Sequence, residues 1–241
     1  MSKICVVVPT YNEATNLPGL VARMERTLRN VSFDLIVIDD DSPDNTARVA
    51  EELNSIYKNI TVKVRANRSG LGSALLAGLN TALSKSDVEW IVTLDADFSH
   101  DPDEIPKLLR ATGAADLVQG SRYVQDGAVS NWSFRRRLVS FLANLICRLM
   151  VRGSVRDCTG NFRVYSRRCA EVLVNSAGSK GFEWVVEAMV ITKKCGFRVK
   201  EVPITFVDRR EGKTKLKNSQ VLSWVAFALK SLFLPRPLAT G

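Results

Sequence analysis

The sequence predicts an α/β fold, a mostly parallel sheet flanked by helices, and three observations carry that prediction. Over the first 120 residues, short β-branched apolar runs alternate with segments of helical period. Acidic residues gather just past the ends of several of those runs. The 241 residues are 46% hydrophobic and 24% charged, globular proportions that exclude disordered, collagenous and low-complexity classes. At about 150 residues per domain, the length suits one large domain with an appendage.

The elements follow in order. Lys3–Pro9 (KICVVVP) and Phe33–Asp39 (FDLIVID) are nearly continuous apolar runs, the pattern of strands buried on both faces. Between them Leu17, Leu20, Val21, Met24 and Leu28 recur at helical spacing and mark one face of a helix. A second helix opens with Ser42 as N-cap and Pro43 at its first position. Ile60–Val64 is a third strand, 70–84 a helix, and Glu89–Leu94 a fourth strand ending at Asp95-Ala96-Asp97. Asp101-Pro102-Asp103-Glu104 reads as a capping box. Residues 123–133 form a polar loop. Phe134–Val151 is helical, with Leu138, Phe141, Leu142, Leu145, Ile146 and Leu149 on one face and Arg137, Ser140, Asn144 and Arg148 on the other. A strand at Phe162–Ser166, helices near 167–176 and 182–195, and a strand pair around Phe197–Val207 complete the body. No Gly/Ser linker divides the chain, so 1–217 forms one domain and 218–241 carries an apolar terminal helix.

Several classes are excluded at this level. Five cysteines, widely spaced and without a C-x-x-C pair or a histidine pattern, give neither a disulfide framework nor a zinc site and fit a reduced, cytosol-facing chain. The opening MSKICVVVPTYNEA lacks a signal-peptide cleavage pattern. The longest apolar stretch, Val221 to Leu234, is interrupted by Lys230. It falls short of the about 20 residues a spanning helix needs, though such a segment can lie on a membrane. Residues 1–119 hold 12 Lys and Arg against 17 Asp and Glu, a net −5, whereas 120–241 hold 22 against 8, a net +14. The basic half suits nucleic acid, an anionic membrane surface or a phosphorylated substrate, or is simply a solvated face.

The acidic half points to chemistry. Glu13, Asp39-Asp40-Asp41 and Asp95-x-Asp97 all follow strands. Ligands of open α/β sheets bind outside the carboxyl ends of strands, so these carboxylates converge on one cleft. Convergence of like charges is costly unless a cation sits among them. Mg²⁺ on a diphosphate meets that need with one or two carboxylates, phosphate oxygens and water. The triple Asp also reads as a capping cluster ahead of the second helix.

PTYNE (Pro9–Glu13), DDDSPDNT (Asp39–Thr46), DADFSH (Asp95–His100), GSRY (Gly120–Tyr123), RRLVS (Arg136–Ser140), DCTGNFRVY (Asp157–Tyr165) and DRREGKTKL (Asp208–Leu216) stand in one order along the chain. In that order and spacing the chain resembles dolichyl-phosphate mannose synthases, family 2 glycosyltransferases of the GT-A type with a Rossmann-like sheet. The resemblance spans residue 4 to about residue 230. It implies that Pro9, Tyr11, Glu13, Ile38 and Asp40 hold the guanosine part of GDP-mannose. It implies that Asp95, Ala96 and Asp97 lie beside the diphosphate, with Asp97 the principal ligand, aided by Asp95, of Mg²⁺ or Mn²⁺. Arg122, Arg209 and Lys215 match phosphate-gripping residues, and Arg136 with Ser140, one helical turn apart, match the acceptor-phosphate pair. Ser99 stands where some members have Gln, so a water bridge suits it better than direct ligation. Thr214 replaces a usual Ser, and Asp41 and Asn45 replace usual glycines, which leaves the shape of that turn open.

The implied reaction is metal-dependent transfer of mannose from GDP-mannose to dolichyl (polyprenyl) phosphate with inversion. The implied location is peripheral, on the cytosolic face of the endoplasmic reticulum in a eukaryote or of the cell membrane otherwise, and some related enzymes add a small membrane-anchoring subunit. UDP-glucose as donor is the alternative within enzymes, and a non-catalytic nucleotide-sugar-binding subunit is the alternative outside them. Nucleic acid is disfavoured by the acidic cleft. By period alone helices 134–151 and 218–234 either lie in a membrane interface or pack on the sheet and each other, and the resemblance favours partial membrane contact. His100 shapes its loop, Trp90 and Trp184 belong to the core, Trp132 suits a loop contact with lipid, and Cys147 and Cys195 fit apolar helix faces.

Overall fold

Among the described residues seven strands form the central sheet, in the order Ile60–Val64, Phe33–Asp39, Lys3–Thr10, Val88–Thr93, Arg163–Ser166, Leu117–Ser121 and Val199–Pro203, and a separate ribbon pairs Ala128–Ser130 with Thr205–Val207. This computed structural model describes residues 3–66, 70–151 and 155–208. Arg209, Lys215 and the predicted helix at 218–234 therefore lie outside the described residues. Strands β1 (Lys3–Thr10), β2 (Phe33–Asp39), β3 (Ile60–Val64) and β4 (Val88–Thr93) are mutually parallel, β1 pairing with both β2 and β4. β7 (Arg163–Ser166) is antiparallel to β4 on one side and to β5 (Leu117–Ser121) on the other, and β8 (Val199–Pro203) runs parallel to β5. The carboxyl ends of β1, β2, β4 and β5 and the start of β7 thus share one edge. The chain reverses its direction of strand addition between β1 and β4, the place where such sheets bind ligands.

Helices cover both faces, which is why all seven residues of β2 are buried. Alternation along β1 divides the core: Ile4, Val6 and Val8 pack with α1 (Leu17–Thr27) and Ala50 of α2 (Thr46–Tyr57). Cys5 and Val7 pack with α3 (Leu71–Leu83), α6 (Arg167–Ser176) and α7 (Glu183–Lys194). Trp184 is central there, and Trp90 is partly buried against the opposite cluster. Gly78 lets α3 lie close on β1, since a Cβ at that position would come 2.2 Å from Val7 Cγ1. Overpacking of this kind costs about 1–3 kcal/mol, against at most about 1 kcal/mol gained in helix propensity. Gly78→Ala is therefore expected to lower stability, measured by chemical denaturation.

Several expected boundaries shift for local reasons. α2 starts at Thr46 rather than after Ser42, because the Ser42 amide and hydroxyl both donate to the Asp39 carboxylate, at 2.9 and 2.6 Å. Asp44 takes the capping role by accepting from the Thr46 amide at 3.0 Å. Asp41 and Asn45 adopt left-handed φ of 53° and 66°, the conformation a glycine would supply, so the turn keeps that shape despite the replacements. Asp101 caps a short 3₁₀ turn (Pro102–Glu104) ahead of α4 (Ile105–Leu109), while Glu104 Oε1 accepts from the Thr205 amide at 3.2 Å instead of closing a capping box. β8 and β9 (Thr205–Val207) do not pair with each other; β9 runs parallel to β6 (Ala128–Ser130), a strand inside the expected loop. Cys147 is buried as a core residue, whereas Cys195 is exposed.

The helix α5 (Phe134–Met150) carries the largest reversal of ordinary packing. Its Asn144 and Cys147 are buried, while Phe134, Leu138, Phe141, Leu142, Leu145 and Leu149 are exposed. Asn144 explains the orientation: its Oδ1 accepts from the Cys158 amide at 2.8 Å and its Nδ2 donates to Thr159 Oγ1 at 3.1 Å. Among the described residues no helix is long and apolar enough to cross a membrane.

Candidate active site

The loop leaving β4 presents the two carboxylates of the D-x-D pair. Asp97 is buried, and its Oδ1 accepts from the Ser99 amide at 3.1 Å across a turn in which Phe98 has φ 58°. Asp95 is more open; its Oδ1 accepts from Asn161 Nδ2 at 3.0 Å, and its amide donates to His100 Nδ1 at 3.2 Å. Burial pushes the His100 imidazole below its ordinary pKa, which keeps Nδ1 an acceptor. His100 packs against Phe162 and Phe206 and so shapes the loop as the sequence suggested. Ala96 and Ser99 are buried in the same loop.

Beside this loop the ends of β1 and β2 form a second cluster. Pro9 and Ile38 are register partners, but Ile38 is fully buried in the core with Val7 and Leu75. With its side chain in the core, Ile38 offers this edge its main chain, whose carbonyl lies 3.4 Å from Thr10 Oγ1. Asp39 brackets the turn, accepting from Thr10 Oγ1 at 2.8 Å as well as from Ser42. Asp40 is ion-paired with Arg65, whose Nε donates to Oδ1 at 2.7 Å. Arg65 was not signalled by the sequence, since it stands alone after β3. Glu13 is buried; its amide donates to Thr46 Oγ1 at 2.9 Å and its Oε2 accepts from Asn16 at 2.8 Å. Tyr11 is partly buried and directly follows β1.

Arg122 lies just past the end of β5. Its Nε and Nη2 each donate to the Asp157 carboxylate at 2.7 Å, and Nη2 also reaches Thr159 Oγ1 at 2.7 Å. Burial by itself would raise the Asp157 carboxyl; the Arg122 charge and hydrogen bonds outweigh that and hold it below the usual carboxylate range. Much of the Arg122 fork is therefore spent on a neighbouring loop rather than held ready for phosphate. Asp157 is fully buried, accepts from the Gly160 amide at 3.1 Å and donates its own amide to Glu201 at 2.9 Å. Asp157 and Asn161 both lie in the DCTGNFRVY block, but nothing in their spacing says which side chain each would meet.

The remaining basic group sits at the start of α5, which Ser133 caps by accepting from the Arg136 amide at 3.3 Å. Arg136 Nη1 donates to Asp208 at 2.6 Å, and its guanidinium lies 4.5 Å over the Trp132 ring. Ser140, one turn on, accepts from the Tyr123 hydroxyl at 2.7 Å. Trp132 is buried against Phe206, which corrects its expected contact with lipid. The β9 segment joins this corner to the carboxylates. The Val207 amide donates to Ser99 O at 3.2 Å and the Asp208 amide to Ser130 O at 3.3 Å. Asp97 and Arg136 therefore belong to one continuous edge of the molecule.

An α/β sheet with paired carboxylates at its switch point is the arrangement of a nucleotide-sugar-type transferase, and residues 5–173 match Glycosyl transferase family 2. The chain belongs to glycosyltransferase family 2 and is a glycosyltransferase. It is 38% identical over 219 residues, 90% of its length and 82% of the relative's, to the polyprenol monophosphomannose synthase of Mycolicibacterium smegmatis. It is 34% identical over 220 residues, 91% and 89% of the two chains, to the undecaprenyl-phosphate mannosyltransferase of Micrococcus luteus. Glucosyl-3-phosphoglycerate synthase of Mycobacterium tuberculosis, solved with Mn²⁺, UDP and phosphoglyceric acid, superposes with a TM-score of 0.73 at 19% identity, covering 97% of this chain and 80% of that one. The same enzyme solved with Mg²⁺ and UDP gives 0.70 at 20% identity, with 97% and 80% covered. These likenesses fix the GT-A fold.

The donor set fits a hard divalent cation. Asp95 and Asp97 offer carboxylate oxygens alone, and among the described residues no three His, Cys, Asp or Glu side chains gather to cage a metal. Carboxylate oxygens are the donor type that Mg²⁺ and Mn²⁺ take, with phosphate oxygens and water completing the shell.

Proposed function

We propose that this glycosyltransferase moves mannose from GDP-mannose to the phosphate of a polyprenyl lipid of the dolichyl or undecaprenyl type, with inversion, at a membrane surface. The observation that carries this reading is the single edge on which β9 ties the Asp95–Asp97 loop to Arg136, giving separate places for two phosphorylated substrates. The two relatives named for polyprenyl-phosphate mannosyl transfer support the choice of sugar and lipid. Pro9, Tyr11, Glu13 and Asp40, with the main chain at Ile38, take the nucleoside. Asp97 and Asp95 hold the cation, Ala96 lets the diphosphate approach, and Ser99 supports the turn. Arg209 and Lys215 grip the diphosphate, while Arg122 acts through Asp157 by setting the edge of the site. Arg136 and Ser140 receive the lipid phosphate. A bound divalent cation would neutralise charge on the departing diphosphate.

The chemistry then needs little from the protein beyond alignment. The lipid phosphate is an anion at neutral pH, so its oxygen attacks without a general base. A bond forms from that oxygen to the anomeric carbon as the bond to the GDP oxygen breaks on the opposite face, and the electron pair leaves with GDP. His100 is buried and its Nδ1 is occupied by the Asp95 amide, so it shapes the loop and takes no part in the transfer proposed here.

The outward apolar stripe of α5 supports partial insertion in the membrane, flanked by the Arg136 and Arg137 cations. Each buried Leu contributes about 1.5–3 kcal/mol, so Leu142→Glu with Leu149→Glu should weaken partition onto anionic vesicles by about tenfold or more. Unaltered co-sedimentation would remove the lipid-facing role of α5.

The deciding assay offers labelled GDP-mannose and UDP-glucose in parallel, with polyprenyl phosphate, in the presence and absence of EDTA. Transfer from GDP-mannose alone, lost with chelator and giving the β-linked product by NMR, is the expected result. Transfer from UDP-glucose alone would overturn the donor assignment.

A further inference from the structure

Asn161 is not among the residues the resemblance points to, yet it stands against the first carboxylate of the D-x-D pair. Its Nδ2 donates to Asp95 Oδ1 at 3.0 Å. A carboxylate only accepts, so the orientation of this amide is dictated by chemistry: Nδ2 must face Asp95 and Oδ1 must point elsewhere. The residue is only 4% exposed, and its Oδ1 is buried with no hydrogen-bond partner. Burying an acceptor without a donor is unfavourable, and such atoms in a native fold call for an explanation.

Asn161 is also held firmly. Its carbonyl accepts from Thr93 Oγ1 at 2.7 Å, the last residue of β4. The preceding Gly160 amide is fixed by Asp157 at 3.1 Å, and the following Phe162 carbonyl accepts from the Gly120 amide at 2.8 Å. The backbone from which the amide projects is therefore fixed, and the bond to Asp95 is the contact that orients the amide itself. Asp95 itself is steadied from a second side by His100, which takes its main-chain N–H.

We infer that Asn161 is a positioning residue, fixing the Asp95 carboxylate toward the metal–diphosphate position while its own Oδ1 accepts an O–H hydrogen bond from the loaded site. This rests on the proposed role of the Asp95–Asp97 loop. The O–H donor is either a hydroxyl of the transferred sugar or a water in the cation's coordination shell. Groups that orient a metal-ligating carboxylate typically alter metal affinity or activity by about 10–100-fold when removed.

The test compares full-length wild type with Asn161→Ala, using Mn²⁺ binding in the presence of GDP followed by EPR, the Mn²⁺ dependence of transfer, and the melting temperature. The expected result is a rise of about 10–100-fold in half-saturating Mn²⁺ by both readouts, with melting within about 2 °C of wild type. An unchanged Mn²⁺ midpoint in a metal-dependent wild type overturns the inference and leaves the proposed function standing. A wild type that neither binds Mn²⁺ with GDP nor needs it overturns the metal reading itself, and the inference with it. Should Asn161→Ala fail to fold, Asn161→Ser is read in the same way. GDP-sugars lacking one hydroxyl each identify the O–H source. One that slows wild type but not the variant marks a sugar hydroxyl; an equal wild-type-to-variant ratio for all of them marks a metal-bound water.

Discussion

Asp97→Ala is expected to lower mannosyl transfer by more than about 100-fold while the protein stays folded. The side chain is buried in the loop that follows β4, and its bond from the Ser99 amide organises a turn rather than the core. Loss of an outer partner of a metal ligand already costs about 10–100-fold, so loss of the ligand itself should exceed that range. Two measurements check it together: radiolabel transfer at saturating GDP-mannose, and thermal melting to show that the fold survives. Near-wild-type turnover in a well-folded variant would remove the cation from the proposed mechanism.

The second large effect concerns stability. Asp157→Asn keeps the shape of the side chain but leaves the buried Arg122 guanidinium without its counter-charge. Breaking a buried ion pair from one side typically costs about 3–5 kcal/mol. For a chain of this length each kcal/mol moves the melting temperature by roughly 2–4 °C, so a fall of roughly 6–20 °C is expected by calorimetry. The pH dependence has a definite sign. The folded-state carboxyl lies below its ordinary value of 3.8, so this contribution is complete above that value and disappears as pH falls through the lower folded one. The variant should therefore lack that part of the wild type's acid sensitivity. A melting temperature equal to wild type would mean that Arg122 is not held as described.

How much of this was legible in the sequence depends on the range of the interactions involved. β2 was read residue for residue because burial on both faces leaves a continuous apolar run, and α1 because one face repeats every three to four positions. β5 was missed because LVQGS lacks a distinctive period, although its five residues are all buried. The antiparallel insertion of β7, and the pairing of β9 with β6 rather than β8, depend on partners tens of residues away, which local pattern does not encode. The two faces of α5 follow from its period, and the resemblance favours an outward apolar face, but the period alone does not say which of them turns inward. Asn144 decides that through hydrogen bonds to Cys158 and Thr159, and an amide on a helix gives no advance sign of such partners. The carboxylates of the candidate site were legible as clusters after strands. Arg65, Asp157 and Asn161 were not singled out as site residues, because a single polar residue acquires its meaning only from the side chain it meets.

The β6–β9 ribbon sets a further condition on any reaction at this edge. Because main-chain hydrogen bonds connect the Ser99 turn to β9 and β9 to Ser130, the spacing between the two proposed substrate positions is gauged largely by backbone, with the Arg136–Asp208 ion pair as the last link. Side-chain replacements around the rim can then retune how tightly either substrate is held without changing the distance a nucleophile must travel. Insertion or deletion of one residue in β9 would alter that distance directly, so the ribbon should tolerate changes of residue far better than changes of length.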